Sequence, residues 1–163
     1  MTRAGRRQSR SPLAGDQLYG TFARLVRVQT RLWNELDTTL RAAHSATLAD
    51  LTVLELVAST DDCRVQDIVD SQHITVGGTS KVVDRLVAAG YVERSANPHD
   101  RRSSVLAVTS AGRELLERAK PDIDAVLAAY LTRALPAGGR AELDRLLTAM
   151  QETPSPPRKG TRS

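Results

Sequence analysis

The stretch from Ile74 to Gly112, ITVGGTSKVVDRLVAAGYVERSANPHDRRSSVLAVTSAG, limits the possible folds most, because its periodicity switches partway along. Thr79, Val82, Val83 and Leu86 fall at i, i+3, i+4 and i+7, which is one apolar face of a helix. Thr75 suits the N-terminal cap and Gly90 the position just past the end, with a strand opening at Tyr91. At roughly 100° per residue, Gly77, Ser80, Lys81, Asp84 and Arg85 point away from the apolar face. Tyr91 to Ser95 and Ser104 to Thr109 are rich in β-branched and small residues, and Ala96 to Asp100 supplies turn chemistry. That pattern predicts a hairpin with Asp100, Arg101 and Arg102 at its tip.

Gly77 and Gly78 each cost about 1 kcal/mol relative to Ala in a helix interior. Either they sit in a loose first turn, or they let the backbone approach another surface. Guanidinium groups on an extended ribbon suit the narrow, electronegative minor groove of A·T-rich DNA, and Asp100 is close enough to orient one of them. A basic turn by itself reads as a solvated loop, as charge runs usually do. Joined to a helix with a small, polar outer face, it predicts a two-part grip on a duplex. Thr75, Val76, Gly77, Ser80 and Lys81 are then expected near base edges or adjacent phosphates in the major groove. Arg85, toward the side of the helix, is expected at phosphate. Asp100, Arg101 and Arg102 form the wing, with the two arginines entering the minor groove or clamping its rim.

The run DRLVAAGYVERSANPHDRRSSVLAVTSAGRELL resembles the wing of the MarR family of winged-helix transcription regulators. That family commonly shows Asp-x-Arg followed by Leu-x-Leu-Thr-x-x-Gly. Here these are Asp100-Arg101-Arg102 and Leu106 to Gly112, with Val108 in place of the second Leu. The resemblance extends over about residues 13–152. It implies a sequence-specific regulator of double-stranded DNA, most commonly a repressor, that binds a near-palindromic operator as a homodimer and is released by a small-molecule effector. One departure stands out: Val76-Gly77-Gly78 replaces bulkier or more polar residues at the recognition helix, which shifts weight toward shape readout.

The charge pattern agrees. The net charge is +4, but residues 1–12 carry four Arg and no acid, and residues 153–163 carry two Arg and one Lys. Between those tails the balance is −3, with −5 over residues 36–72 and +2 over residues 73–109. Cations are therefore concentrated in the helix–hairpin unit and the tails. Phosphate binding needs local cations rather than a basic total. The tails are expected to be disordered, a basic arm at 1–12 and a Pro-rich basic tail at 153–163.

The remaining segments read as helices. Leu18, Phe22, Leu25, Leu32, Leu36 and Leu40 form a stripe from Asp16 to about Arg41. Leu48, Leu51, Leu54 and Val57 mark a helix from Thr47 to Ser59, and a shorter one surrounds Gln66–Ser71. Thr109 caps a long apolar segment in which Pro121 is expected to kink or break the helix near Lys120. A final helix is expected to open near Pro136. The expected fold is mainly α with a small β wing, a winged helix-turn-helix in the order α1-α2-α3-α4-β-β-α5-α6, with a third tiny strand near Arg64–Val65. A single domain over 13–152 would hold the DNA-binding lobe at 45–112 and dimerisation helices at 13–44 and 113–152. Leu18, Leu25, Leu127, Leu131, Leu143 and Leu147 are the expected dimerisation residues, since one small chain cannot cover so many apolar stripes.

The resemblance implies an effector pocket, for which Tyr19, Phe22, Trp33 and His44 are the candidates, although aromatic residues on a helix are more often core. Cys63 is the lone cysteine, so no intrachain disulfide can form and a reducing compartment fits. A redox switch at Cys63 is an alternative reading, but Asp61 and Asp62 beside it disfavour a thiolate. Peroxide-sensing relatives carry their reactive Cys early in the first helix, where this chain has none. No His/Cys/Glu cluster has metal-ligand spacing, so neither metal nor cofactor is expected. No apolar run approaches the roughly 18–20 residues of a membrane span, and a cytoplasmic location follows as the default. An enzyme is not expected, for neither a phosphate-cradling Gly loop nor a GxSxG elbow occurs. A winged helix that binds protein rather than DNA stays open at this point.

Overall fold

A computed structural model describes residues 17–72, 76–96 and 104–154. The elements are α1 Gln17–His44, α2 Leu48–Ser59, α3 Val65–Gln72, α4 Val76–Ala88, β1 Val92–Ala96, β2 Ser104–Val108, α5 Ser110–Ala134 and α6 Gly139–Glu152. The expected order is borne out. The chain divides into two compact units, Met1–Ile123 and Asp124–Ser163, with α5 running on from the first into the second.

The core of the first unit centres on α2, which is apolar on nearly every side and buries Leu51, Val53, Leu54 and Val57. Ile68 of α3, Val83 and Leu86 of α4, Val92 of β1, Leu106 and Val108 of β2 and Leu115 of α5 close around it. Thr47 caps α2 in a reciprocal capping box. Its Oγ1 accepts from Asp50 N at 3.0 Å, while its own N–H donates to Asp50 Oδ2 at 2.8 Å. Ahead of this cap, Ser45 takes a left-handed turn at φ 53 to end α1. Leu36 and Leu40 on the last turns of α1 are buried, whereas Leu18, Phe22, Leu25, Val26 and Val28 further back are exposed. The α1 stripe is thus covered by its own chain only near its C-terminal end.

Helix α4 ends as its sequence predicts. Tyr91 N–H donates to Leu86 O at 2.9 Å and Gly90 N–H to Val87 O at 3.0 Å, with Gly90 at φ 74. This is a Schellman stop, in which a glycine accepts the left-handed geometry without a Cβ clash. Strands β1 and β2 pair antiparallel, with Val92 opposite Val108 and Arg94 opposite Leu106. The end of β2 then passes straight into α5. Thr109 Oγ1 donates to Gly90 O at 2.8 Å and accepts from Gly112 N at 3.1 Å.

Three expectations need correction. Among the described residues the strand foreseen near Arg64–Val65 does not form, because Val65 already opens α3. A single backbone bond stands in its place, from Leu106 N–H to Cys63 O at 2.8 Å. Of the two outcomes expected at Pro121, a kink or a break, the break does not occur, and α5 runs continuously from Ser110 to Ala134. Ala119 and Ile123 pack on the core on either side of the proline, and Asp122 accepts from His44 Nε2 at 2.7 Å. Those anchors offset the hydrogen bond that proline cannot donate. Helix α6 opens at Gly139 rather than near Pro136, since Pro136 O accepts from Gly139 N at 2.9 Å in a turn and Gly138 sits at φ 79.

Thr79, expected on the apolar face of α4, is indeed buried there, and its hydroxyl has no hydrogen-bond partner among the described residues. A buried, unpaired hydroxyl is destabilising. Thr79→Val keeps the shape and removes the polar atom, so thermal or urea denaturation should show a gain of about 1 kcal/mol. Equal or lower stability would mean that the hydroxyl finds a partner in solution.

Candidate nucleic-acid interface

Helix α4 presents two faces. Thr79, Val83 and Leu86 are buried against α2 and α3, while Gly77, Lys81, Asp84 and Arg85 are exposed and Ser80 is half-buried. Val76 opens the helix. A Cβ built on Gly77 would meet nothing within 4 Å, so no neighbour among the described residues demands a glycine there. Thr75 and the wing tip, with Asp100, Arg101 and Arg102, lie outside the described residues, as do the 1–12 arm and all but the first two residues of the 153–163 tail. What the structure does place is the root of the wing, with Val92, Leu106 and Val108 buried and Glu93, Arg94, Ser95 and Ala96 exposed.

Two ion pairs from adjacent α4 residues run to different neighbours, and the sequence pattern signalled neither. Arg85 donates through Nε at 2.9 Å and Nη2 at 2.6 Å to Oδ1 of Asp50, whose other oxygen closes the α2 capping box. Asp50 is buried, so Arg85 serves as the counter-charge that makes this burial tolerable. The phosphate-facing arginine of the sequence reading is therefore already committed to holding α4 against the start of α2. Asp84 in turn accepts from Arg94 Nη2 at 2.9 Å, tying the wing root to α4. Lys81 is the cation of the described α4 face for which no such tie is seen.

The four residues expected to line one effector pocket are not brought together. The rings of Tyr19 and Phe22 sit 6.4 Å apart near the start of α1, and His44 pairs with Asp122. Tyr19 and His44 share one helix and lie roughly 37 Å apart along its axis, too far for a single small pocket. Trp33 does border a cleft of about 360 Å³ between the end of α1 and the start of α2, shared with Asp37, Arg41, Asp50 and Arg85. Burial pushes the Asp37 carboxyl up, but the Arg41 hydrogen bond and the Leu48 N–H outweigh it and leave it below its usual range. Cys63 is fully buried, and burial followed by the charge of Asp67 pushes its thiol up, against thiolate chemistry.

In the second unit Leu127 and Leu131, two of the expected dimerisation residues, line a groove of about 710 Å³ beside Leu135 and Pro136. On α6 Leu146, Leu147 and Met150 are exposed. No described helix is long and apolar enough to cross a membrane.

Residues 45–103 match the sequence model of the MarR family. The Escherichia coli multiple antibiotic resistance protein MarR is 34% identical over 74 residues, which are 45% of this chain and 51% of that protein. The chain thus spans about half the length of this curated relative. The apo structure of the same protein superimposes with a TM-score of 0.69 at 26% identity, covering 78% of this chain and 95% of that one. A MarR family transcriptional regulator from Streptomyces coelicolor, solved in complex with DNA, gives a TM-score of 0.73 at 23% identity over 92% of this chain and 95% of its own. Bordetella bronchiseptica BpsR, whose DNA binding is regulated by 6-hydroxynicotinic acid, gives 0.72 at 23% identity over 90% and 100%. With a helical chain, a two-stranded wing and these matches in agreement, residues 45–103 carry a MarR-family sequence and the described fold is similar to that of MarR-family winged-helix proteins.

Proposed function

We propose that this chain is a sequence-specific, double-stranded-DNA-binding transcription regulator of the cytoplasm. It acts as a homodimeric repressor on a near-palindromic operator and is released by a small-molecule effector. The observation that carries this reading is the outer face of α4, where Gly77, Ser80 and Lys81 point away from the core beside a rooted β ribbon. A helix with so little side-chain bulk can lie deep in a major groove. The wing then follows the adjacent minor groove with Arg101 and Arg102. The uncovered stripe of Leu18, Phe22 and Leu25 on α1, together with Leu146 and Leu147 on α6, supports a second copy as the cover. For the effector, the cleft beside Trp33 offers an aromatic face, and with Arg41 and Arg85 there paired to Asp37 and Asp50 it suits a planar ring without net charge.

Selection of bound sequences from a random duplex pool tests this reading. Inverted half-sites about one helical turn apart are the expected product, and recovery of no preferred sequence would overturn it. Gly77 supplies a second check with effects of opposite sign. Because a methyl group there meets only open space, Gly77→Ala should raise stability by up to about 1 kcal/mol. Affinity for the selected duplex should fall at the same time, since the added methyl holds the helix backbone off the groove. If affinity is unchanged while stability rises, Gly77 has no part in docking.

A further inference from the structure

Beyond Val92, strand β1 leaves the core, and Glu93, Arg94, Ser95 and Ala96 are all exposed. The ladder to β2 holds the two strands to each other, but it does not fix the ribbon against α4. The cross-element tie in this half of β1 is Arg94 Nη2 on Asp84 Oδ1 at 2.9 Å. With 38% of the Arg94 side chain and 65% of that of Asp84 exposed, the pair contributes little to stability. Its position is what makes it consequential. Asp84 lies on the outward side of α4, one residue before the arginine that anchors this helix to α2. Left bare, that carboxylate would repel the phosphates of a bound duplex. A rotation of the ribbon at its root, moreover, grows with every residue of strand beyond it, at about 3.3 Å of rise per residue.

We infer that Asp84 and Arg94 form a latch that sets the pitch of the wing against the recognition helix, a positioning pair that acts through the wing and not by touching DNA. The inference rests on the DNA-binding reading above. As an exposed ion pair, the latch is weakened by salt.

The test uses the full chain with Asp84→Asn, Arg94→Gln, both together, and the swap Asp84→Arg with Arg94→Asp. Residual dipolar couplings of β1 and β2 amides against those of α4 report the pitch in the free protein. Titration of the selected duplex reports its effect on binding. Each single variant should shift the couplings and weaken binding by about 5-fold, a little under 1 kcal/mol each. The double variant should be no weaker than either single one, and the swap should restore pitch and affinity to within about 2-fold. Asp84→Asn binding as tightly as the parent, or more tightly, overturns the latch. Weakening confined to Arg94→Gln also overturns it, because Arg94 would then be a phosphate contact. If the parent chain binds no duplex at all, the DNA-binding reading fails, and the latch stands or falls on the couplings.

Discussion

Gly112→Ala is expected to lower stability by about 3 kcal/mol, a fall in melting temperature of roughly 6–12 °C. The position has no room for a side chain. A Cβ there would press against the Tyr91 carbonyl oxygen and stand 2.8 Å from Val108 Cγ2. Neither neighbour can yield cheaply. Tyr91 O accepts from Thr109 N at 3.1 Å, and Val108 is buried opposite Val92 in the ladder. Gly112 N also donates to Thr109 Oγ1 at 3.1 Å, so a shift of the glycine pulls the α5 cap away from the α4 stop. One residue thus seals three junctions, the end of α4, the root of the wing and the start of α5. Thermal denaturation followed by circular dichroism measures the effect. A melting temperature within about 2 °C of the parent would show that this junction is looser than the described packing.

Arg85→Ala is the second large effect, and it separates an anchor from a DNA contact. Removing the guanidinium strands the Asp50 carboxylate in a buried setting, where among the described residues Thr47 alone still bonds to it. Truncating one partner of a fully buried pair costs about 3–5 kcal/mol. Half of the Arg85 side chain is exposed, so solvent reaches the pair and about 2 kcal/mol is the better expectation. Adding Asp50→Asn to Arg85→Ala should recover part of the loss, because the stranded charge is gone while the α2 cap is largely kept. The salt dependence of DNA binding should change little in Arg85→Ala. A variant as stable as the parent, with a shallower salt dependence, would return Arg85 to the phosphate role its position on the helix suggests.

The difference between those two roles shows what the sequence could and could not reveal. Spacing of Thr79, Val83 and Leu86 was enough to orient α4, and Gly90 enough to end it, because both depend on neighbours within a turn or two. Val92 and Val108 were legible as strand residues for the same reason. The motif from Leu106 to Gly112 was visible as a resemblance, but its cause was not. The cause is a carbonyl from Tyr91, twenty-one residues away, lying against Gly112. Asp50 met Arg85 across thirty-five positions, and Asp84 met Arg94 across a helix stop and a turn into β1. Such partners are chosen by tertiary packing and leave no periodic trace. The same holds for Pro121, where core packing at Ala119 and Ile123 overrides a strong local signal. For the effector residues the reason is different: Tyr19, Phe22, Trp33 and His44 share ring chemistry and one long helix, but helical rise places Tyr19 and His44 far apart.

The central claim is that α4 and the wing grip duplex DNA through localised cations, once from each copy of the chain. Titrating binding of the selected duplex across low to moderate salt tests it most directly. Lys81, Arg101 and Arg102 from two copies predict a log–log slope of about −5, and Lys81→Ala should make it shallower by about 2, one phosphate contact per copy. A slope near zero, or one unmoved by Lys81→Ala and Arg102→Ala together, would contradict the account.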